Sequence, residues 1–151
     1  MDALTIGEAT ADEREWGARV MAASEPWTTL GRGLEVCRAA CLDPDYVTLV
    51  ARRDGEPRGF ARIHPRGVAG SPYLASIAVS ADARGRGVGS ALLDAFEARY
   101  AGKARYLFLC VSSFNGRARA LYERRGYRLV GKLPDYVVDG ASELLMAKRL
   151  P

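Results

Sequence analysis

Ile77-Ala78-Val79-Ser80-Ala81-Asp82-Ala83-Arg84-Gly85-Arg86-Gly87-Val88-Gly89-Ser90, running on into Ala91-Leu92-Leu93, reads as an apolar strand, a short loop, a glycine run and the start of a helix. Glycines alternate at 85, 87 and 89, where the helix should begin. A residue without Cβ lets the backbone approach a ligand and reach positive φ at no steric cost. The first amides of a helix have no internal partner and sit at the positive end of its dipole. Strand, glycine loop and helix start together make a phosphate socket. We read it as a socket for a pyrophosphate.

Two common phosphate sockets fail on named residues. A P-loop ends in Gly-Lys-Ser/Thr, and no lysine follows these glycines. The dinucleotide fingerprint is G-x-G-x-x-G with an acid about 20 residues further on. Here the spacing is G-x-G-x-G, and the next strand ends in Val111-Ser112-Ser113 without an acid. What remains is Arg84-x-x-Gly87-x-Gly89 between a strand and a long helix.

Working outward, Leu4 to Ala9 reads as a first strand and Asp12 to Ala23 as a helix with Trp16, Val20 and Met21 at core spacing. Ser24-Glu25-Pro26-Trp27 breaks it, since the residue before a proline avoids the helical region. A second helix covers Leu34 to Leu42 and stops at Asp43-Pro44. Tyr46 to Arg52 and Arg58 to His64 are strands around Asp54-Gly55, a hairpin signal, and Pro65-Arg66-Gly67 should end the second. Tyr73 to Val79 feeds the glycine loop. In the helix from Gly87, the residues Val88, Ala91, Leu92, Ala95, Phe96 and Tyr100 form an apolar stripe. Tyr106 to Val111 is nearly all apolar, as a buried central strand requires. A helix over Gly116 to Arg125 and strands over Tyr127 to Gly131 and Glu143 to Arg149 complete the chain. The order is β-α-α-β-β-β-α-β-α-β-β. The crossover from Tyr73–Val79 through the helix to Tyr106–Val111 makes those strands parallel, and the flanking hairpins are antiparallel. The fold class is α/β, or α+β with one mixed sheet, in a single domain over residues 1–151.

Bulk features close several classes. The 151 residues contain no run of apolar residues long enough to span a bilayer, and Met1-Asp2-Ala3-Leu4 does not begin a signal peptide, so a cytoplasmic location is expected. The formal charge of +4 suits a polyanionic ligand, although arginine simply stands in for lysine in most places. Cys37, Cys41 and Cys110 make neither a disulfide framework nor a zinc pattern, so no metal is expected. His64 is the only histidine, and no G-x-S-x-G serine accompanies it.

Asn115-Gly116-Arg117-Ala118-Arg119-Ala120-Leu121-Tyr122-Glu123-Arg124-Arg125-Gly126-Tyr127 decides the family. With the glycine loop upstream, the chain resembles the GNAT superfamily of N-acetyltransferases. There an asparagine opens a helix carrying Ala and Leu-Tyr-Glu, which ends at Gly-Phe/Tyr. The resemblance runs from Leu4 to Leu150 and is best between Tyr73 and Gly131. It implies acetyl-CoA as co-substrate and a primary amine as acceptor, acetylated by direct attack in a ternary complex.

Residue by residue, the resemblance puts the cofactor on Ile77, Ala78, Val79, Arg84, Gly85, Arg86, Gly87, Val88, Gly89, Ser90, Asn115, Ala118 and Tyr122. Asn115 is also a good helix cap in its own right. In the family the strand bearing Ile77-Ala78-Val79 parts from its neighbour at a bulge, and an amide near Val79 could meet the acetyl oxygen. Tyr122 is the candidate acid, giving a proton to the departing thiolate. Related ribosomal-protein N-terminal acetyltransferases commonly carry a glutamate where Cys110 stands, which leaves the base open among Glu25, His64, Asp135 and Glu143. Cys110 itself is read as inert packing. Acceptor recognition falls to Glu25 and Trp27, the latter as an aromatic wall, and to Asp135 and Tyr136, where an acid beside an aromatic suits a cationic amine. Two other classes stay open. One is an acetyl-CoA-binding regulatory module without transfer. The other is a nucleic-acid binder using Arg84, Arg86, Arg117, Arg119, Arg124 and Arg125, which ranks last. The acceptor's identity is not legible, and a homodimer is compatible with the sequence.

Overall fold

Thr10 opens the first helix with a reciprocal cap: its hydroxyl accepts from the Glu13 amide at 3.1 Å, and the Glu13 carboxylate accepts from the Thr10 amide at 2.9 Å. The computed structural model describes residues 3–151, and Met1 and Asp2, which entered the reading of the N-terminus, lie outside the described residues. The elements are β1 (Thr5–Glu8), α1 (Ala11–Ala22), α2 (Leu34–Cys41), β2 (Val47–Arg53), β3 (Glu56–Val68), β4 (Ser71–Val79), α3 (Val88–Tyr100), β5 (Tyr106–Ser112), α4 (Gly116–Arg124), β6 (Arg128–Pro134) and β7 (Ser142–Arg149). A single 3₁₀ turn at Ala81–Ala83 stands between β4 and α3. Apart from that turn, the order is the one expected from the sequence.

The strands form one seven-stranded sheet in the order β1-β2-β3-β4-β5-β7-β6. Among the described residues, only β4 and β5 pair in parallel; all other neighbours are antiparallel. Most boundaries fall within two residues of expectation, and two differ by more. β3 runs through Pro65 to Val68, and the turn falls at Ala69-Gly70. Its pairing with β4 is irregular between His64 and Val68, so the missing proline N–H costs no ladder bond. β6 likewise continues past Gly131 to Pro134, with Val130 as an extra residue opposite β7.

Alternation along the strands splits the core in two. Phe60 and Ala78 face α1 and α2, joining Ala18, Met21, Trp27, Cys37 and Cys41. Their neighbours Ala61 and Ile63 face the other way, against Val88, Leu92, Leu93 and Phe96 of α3 and Tyr122 of α4. Helices thus cover both faces. Gly59 lets the start of α3 press onto the sheet, since a Cβ there would stand 2.8 Å from Val88 Cγ1 and 3.0 Å from the Ala78 carbonyl oxygen.

The site is positioned by a defect in β4. Arg62 pairs with Ser76, but the next residue of β3, Ile63, pairs with Leu74. Ala75 is therefore the extra residue of a β-bulge. On the other side, β4 pairs with β5 only at Tyr73–Phe108 and Leu74–Leu109. Pairing stops at the bulge, and the rest of each strand diverges. The Ser80 amide donates to the Arg58 carbonyl at 2.8 Å, so it faces β3. Alternation then points the amides of Val79 and Ile77 into the opening.

Candidate active site

A cleft of about 1070 Å³ opens where β4 and β5 part. Its floor is the free edge of β4 from Ala75 to Val79; its walls are the glycine loop, α4, and the segment between α1 and α2. Gly85 and Gly87 both adopt positive φ, +76° and +81°, and Gly87 is the N-cap of α3. A Cβ on either would meet nothing within 4 Å, so the loop borders open space. The first internal bond of α3 runs from the Ala91 amide to the Gly87 carbonyl at 3.0 Å. Among the described residues, the amides from Gly85 to Ser90 have no acceptor. They are free for an anion.

Arg84 does different work. Its Nε donates to the Val79 carbonyl at 3.1 Å, and its Nη2 donates to Ser24 Oγ at 3.1 Å. It ties the open end of β4 to the chain leaving α1. Val79 thereby has its carbonyl satisfied while its amide still faces the cleft.

Across the cleft, Asn115 caps α4 by accepting from the Ala118 amide at 3.4 Å. Tyr122, one turn further on, is only 6 % exposed. Its hydroxyl has no hydrogen-bond partner among the described residues, and burial pushes its pKa up to about 12. The phenol is thus neutral, uncommitted and at the cleft wall. Cys110 of β5 also lines the cleft, beside Tyr73, with its thiol pKa raised chiefly by burial. That is the setting of an unreactive cysteine. Glu143, at the start of β7, lies opposite Ser112 and accepts its hydroxyl at 2.7 Å through one oxygen. Its carboxylate borders the same cleft.

Of the residues singled out in the sequence, Ile77, Ala78, Val79, Arg84, Gly85, Gly87, Val88, Gly89, Ser90, Asn115, Ala118 and Tyr122 line this one cleft, with Glu25, Trp27, Tyr136 and Glu143. Arg86, His64 and Asp135 do not. His64 Nδ1 accepts the Arg66 amide at 3.1 Å, and its ring meets Tyr46 edge-on. Asp135 closes its own loop by accepting the Gly140 amide at 2.7 Å. Glu25 accepts from the Thr29 amide at 2.9 Å and its hydroxyl at 2.6 Å. Hydrogen bonds from Thr29 and Thr28 hold its carboxyl below the usual range, which weakens it as a base. The sequence reading did not single out Arg62, Tyr46, Tyr73 or Ser76, which also border the cleft. One signal was available: Arg62 is a charge between Ala61 and Ile63 at a position that alternation turns inward.

The chain is a one-domain α/β protein whose mixed sheet splits at the parallel pair β4–β5, with a glycine loop beside the split. The GNAT acetyltransferase family model matches residues 9–127, and the chain belongs to that family. An uncharacterized N-acetyltransferase of Methanocaldococcus jannaschii is 40% identical over 84 residues, covering 54% of this chain and 54% of that protein. The chain spans about half the length of the curated relatives it matches. Nourseothricin acetyltransferase is 34% identical over 72% of this chain and 68% of its own, with a TM-score of 0.63. A GNAT-family protein from Desulfovibrio desulfuricans, at 20% identity, shares the fold over 99% of this chain and 100% of its own, with a TM-score of 0.83.

Proposed function

We propose that this chain is an acetyl-CoA-dependent N-acetyltransferase that acylates a primary amine by direct attack within a ternary complex. The observation that carries this reading is the row of unspent amides from Gly85 to Ser90 leading into a strand gap walled by an uncommitted phenol. The residues fit acetyl-CoA. The amides and the N-terminus of α3 would hold the diphosphate. The free edge of β4 at Ile77 and Val79 would pair with the pantetheine amides as a peptide strand would. Asn115 and the small Ala118 leave passage beside α4. Acetyl-CoA supplies an activated acyl carbon on a thiol leaving group.

The protein's own residues do the rest. The fixed Val79 amide stabilises negative charge developing on the acyl oxygen. Tyr122 donates its phenolic proton where thiolate charge appears. Glu143, with one oxygen anchored by Ser112, accepts, directly or through water, the proton that the acceptor's ammonium loses so that the neutral amine can attack. Alignment of the two reactants supplies much of the remaining rate. Free thiols at Cys37, Cys41 and Cys110 suit a reducing compartment, which supports a cytoplasmic location for this single transferase domain, residues 1–151.

Incubating the protein with acetyl-CoA and a panel of primary amines, with free thiol as readout, tests the reading. Amine-dependent thiol release with matching N-acetyl product is expected. Tight coenzyme A binding without turnover of any amine would instead mark a binding module.

A further inference from the structure

Arg62 is an anomaly in the acceptor half of the cleft. It projects from β3 beside the Ala75 bulge and is 8 % exposed. The guanidinium lies over the Tyr46 ring, 4.1 Å from its centroid, and Nη2 donates to Ser76 Oγ at 3.3 Å. Nε is buried with no acceptor. Nη1 makes no hydrogen bond either and, unlike Nε, is not fully buried. Among the described residues, no carboxylate forms an ion pair with it. The contrast with other poorly exposed arginines is sharp: Arg52 holds Glu13 at 2.6 Å, and Arg125 holds Asp94 and Glu97. A cation withdrawn from water without a counter-charge is costly. Ring stacking and one hydroxyl offset only part of that.

Tyr46, Arg62, Ser76, Tyr73 and Glu143 all border the same cleft, on the side away from the glycine loop. Arg62 supplies an unpaired positive group there and Glu143 a negative one. We infer that the acceptor is a small amine that also carries a carboxylate, with the carboxylate bound to Arg62 and the amine turned toward Glu143. This rests on the acetyl-transfer reading of the cleft. The planar carboxylate matches the planar guanidinium; Arg32 also borders the cleft, so a phosphate is tested separately.

Paired ligands test it: β-alanine, γ-aminobutyrate and lysine, each against its carboxamide, with 2-aminoethyl phosphate as a separate arm. Affinity is measured by calorimetry with the protein saturated in coenzyme A, and transfer by thiol release from acetyl-CoA. At least one free acid should be favoured over its amide by about 30-fold or more in both measurements. Arg62→Met should abolish that preference while leaving coenzyme A affinity unchanged. Replacing an unpaired buried charge by a similar apolar volume is compatible with folding, and the wild-type acid–amide comparison stands without the variant. Transfer with no preference for acids overturns the inference and leaves the transferase reading intact. Selective acid binding, with no turnover of these acids or of any amine in the panel, supports the carboxylate site and removes the transferase reading. Tighter binding of 2-aminoethyl phosphate, or no binding by any acid, overturns the inference.

Discussion

At the scale of single residues, the site separates groups already committed to the protein from groups left free. His64, Asp135 and Glu25 have the right chemistry for a base, but each is used in holding local structure. Tyr122 and Glu143 keep a free function at the cleft. Tyr122→Phe removes only the hydroxyl, so coenzyme A affinity should persist while kcat falls about 100-fold. An unchanged kcat would strike Tyr122 from the scheme. Glu143→Gln keeps the size and the contact with Ser112 but cannot take a proton. Its kcat/KM should fall about 100-fold at neutral pH and recover in part as pH rises and more of the amine is neutral. A pH profile parallel to the wild type would remove Glu143 as base. Tyr122 was legible because it lies inside a recognisable helix motif. Glu143 stood among four candidates, of which only Glu25 and Glu143 line the cleft, and both oxygens of Glu25 are taken by Thr29; Arg62 was missed because sequence does not show whether an inward charge has a partner.

At the scale of elements, the bulge at Ala75 is the decisive feature. It ends the pairing of β4 with β5 after Leu74 and frees one edge of β4 while the other stays bonded to β3. Neighbouring amides of the strand therefore differ in kind. Val79→Pro deletes an amide that makes no ladder bond, so the fold should survive while turnover drops about 100-fold or more, on the order seen for loss of an oxyanion donor. Ala78→Pro deletes an amide facing β3 and should destabilise the protein by about 3 kcal/mol. Thermal melts of both variants read this directly. Equal destabilisation of the two would contradict the assigned strand edge. The strand itself was plain in the sequence, and so was its parallel neighbour. The position of the bulge was not, because Ala75 carries no local signal; only the register against β3 reveals it. The same limit explains β3, where Pro65 reads as a terminator but falls in an unpaired stretch.

At the scale of the whole molecule, element order and sheet class were legible throughout, because each strand and helix carries its own period and its own stops. The ties that fix one layer against another were not. Glu13 is such a tie. It caps α1 and reaches Arg52 of β2 at 2.6 Å, joining helix and sheet. The Arg52 hydrogen bond is the main cause that lowers its pKa from the usual 4.5 to about 2. A depressed carboxyl stabilises the folded state above its unfolded pKa, and that stabilisation is lost as pH falls through the folded value. The contribution, on the order of 2 kcal/mol, should be complete above about pH 5 and gone by about pH 1. Glu13→Gln should lower the melting temperature at neutral pH and flatten the loss of stability between those limits. Urea unfolding across that range checks it, and parallel wild-type and variant curves would show that the pair contributes nothing.

The central claim is that unspent amides at the start of α3 grip a diphosphate. Calorimetric titration of coenzyme A into the wild type and Gly87→Glu tests it most directly. The glutamate brings a bulky negative side chain to a position that is open and at φ +81°. Binding should weaken by 100-fold or more, with the rest of the fold intact by circular dichroism. Unchanged affinity in the variant would contradict the account.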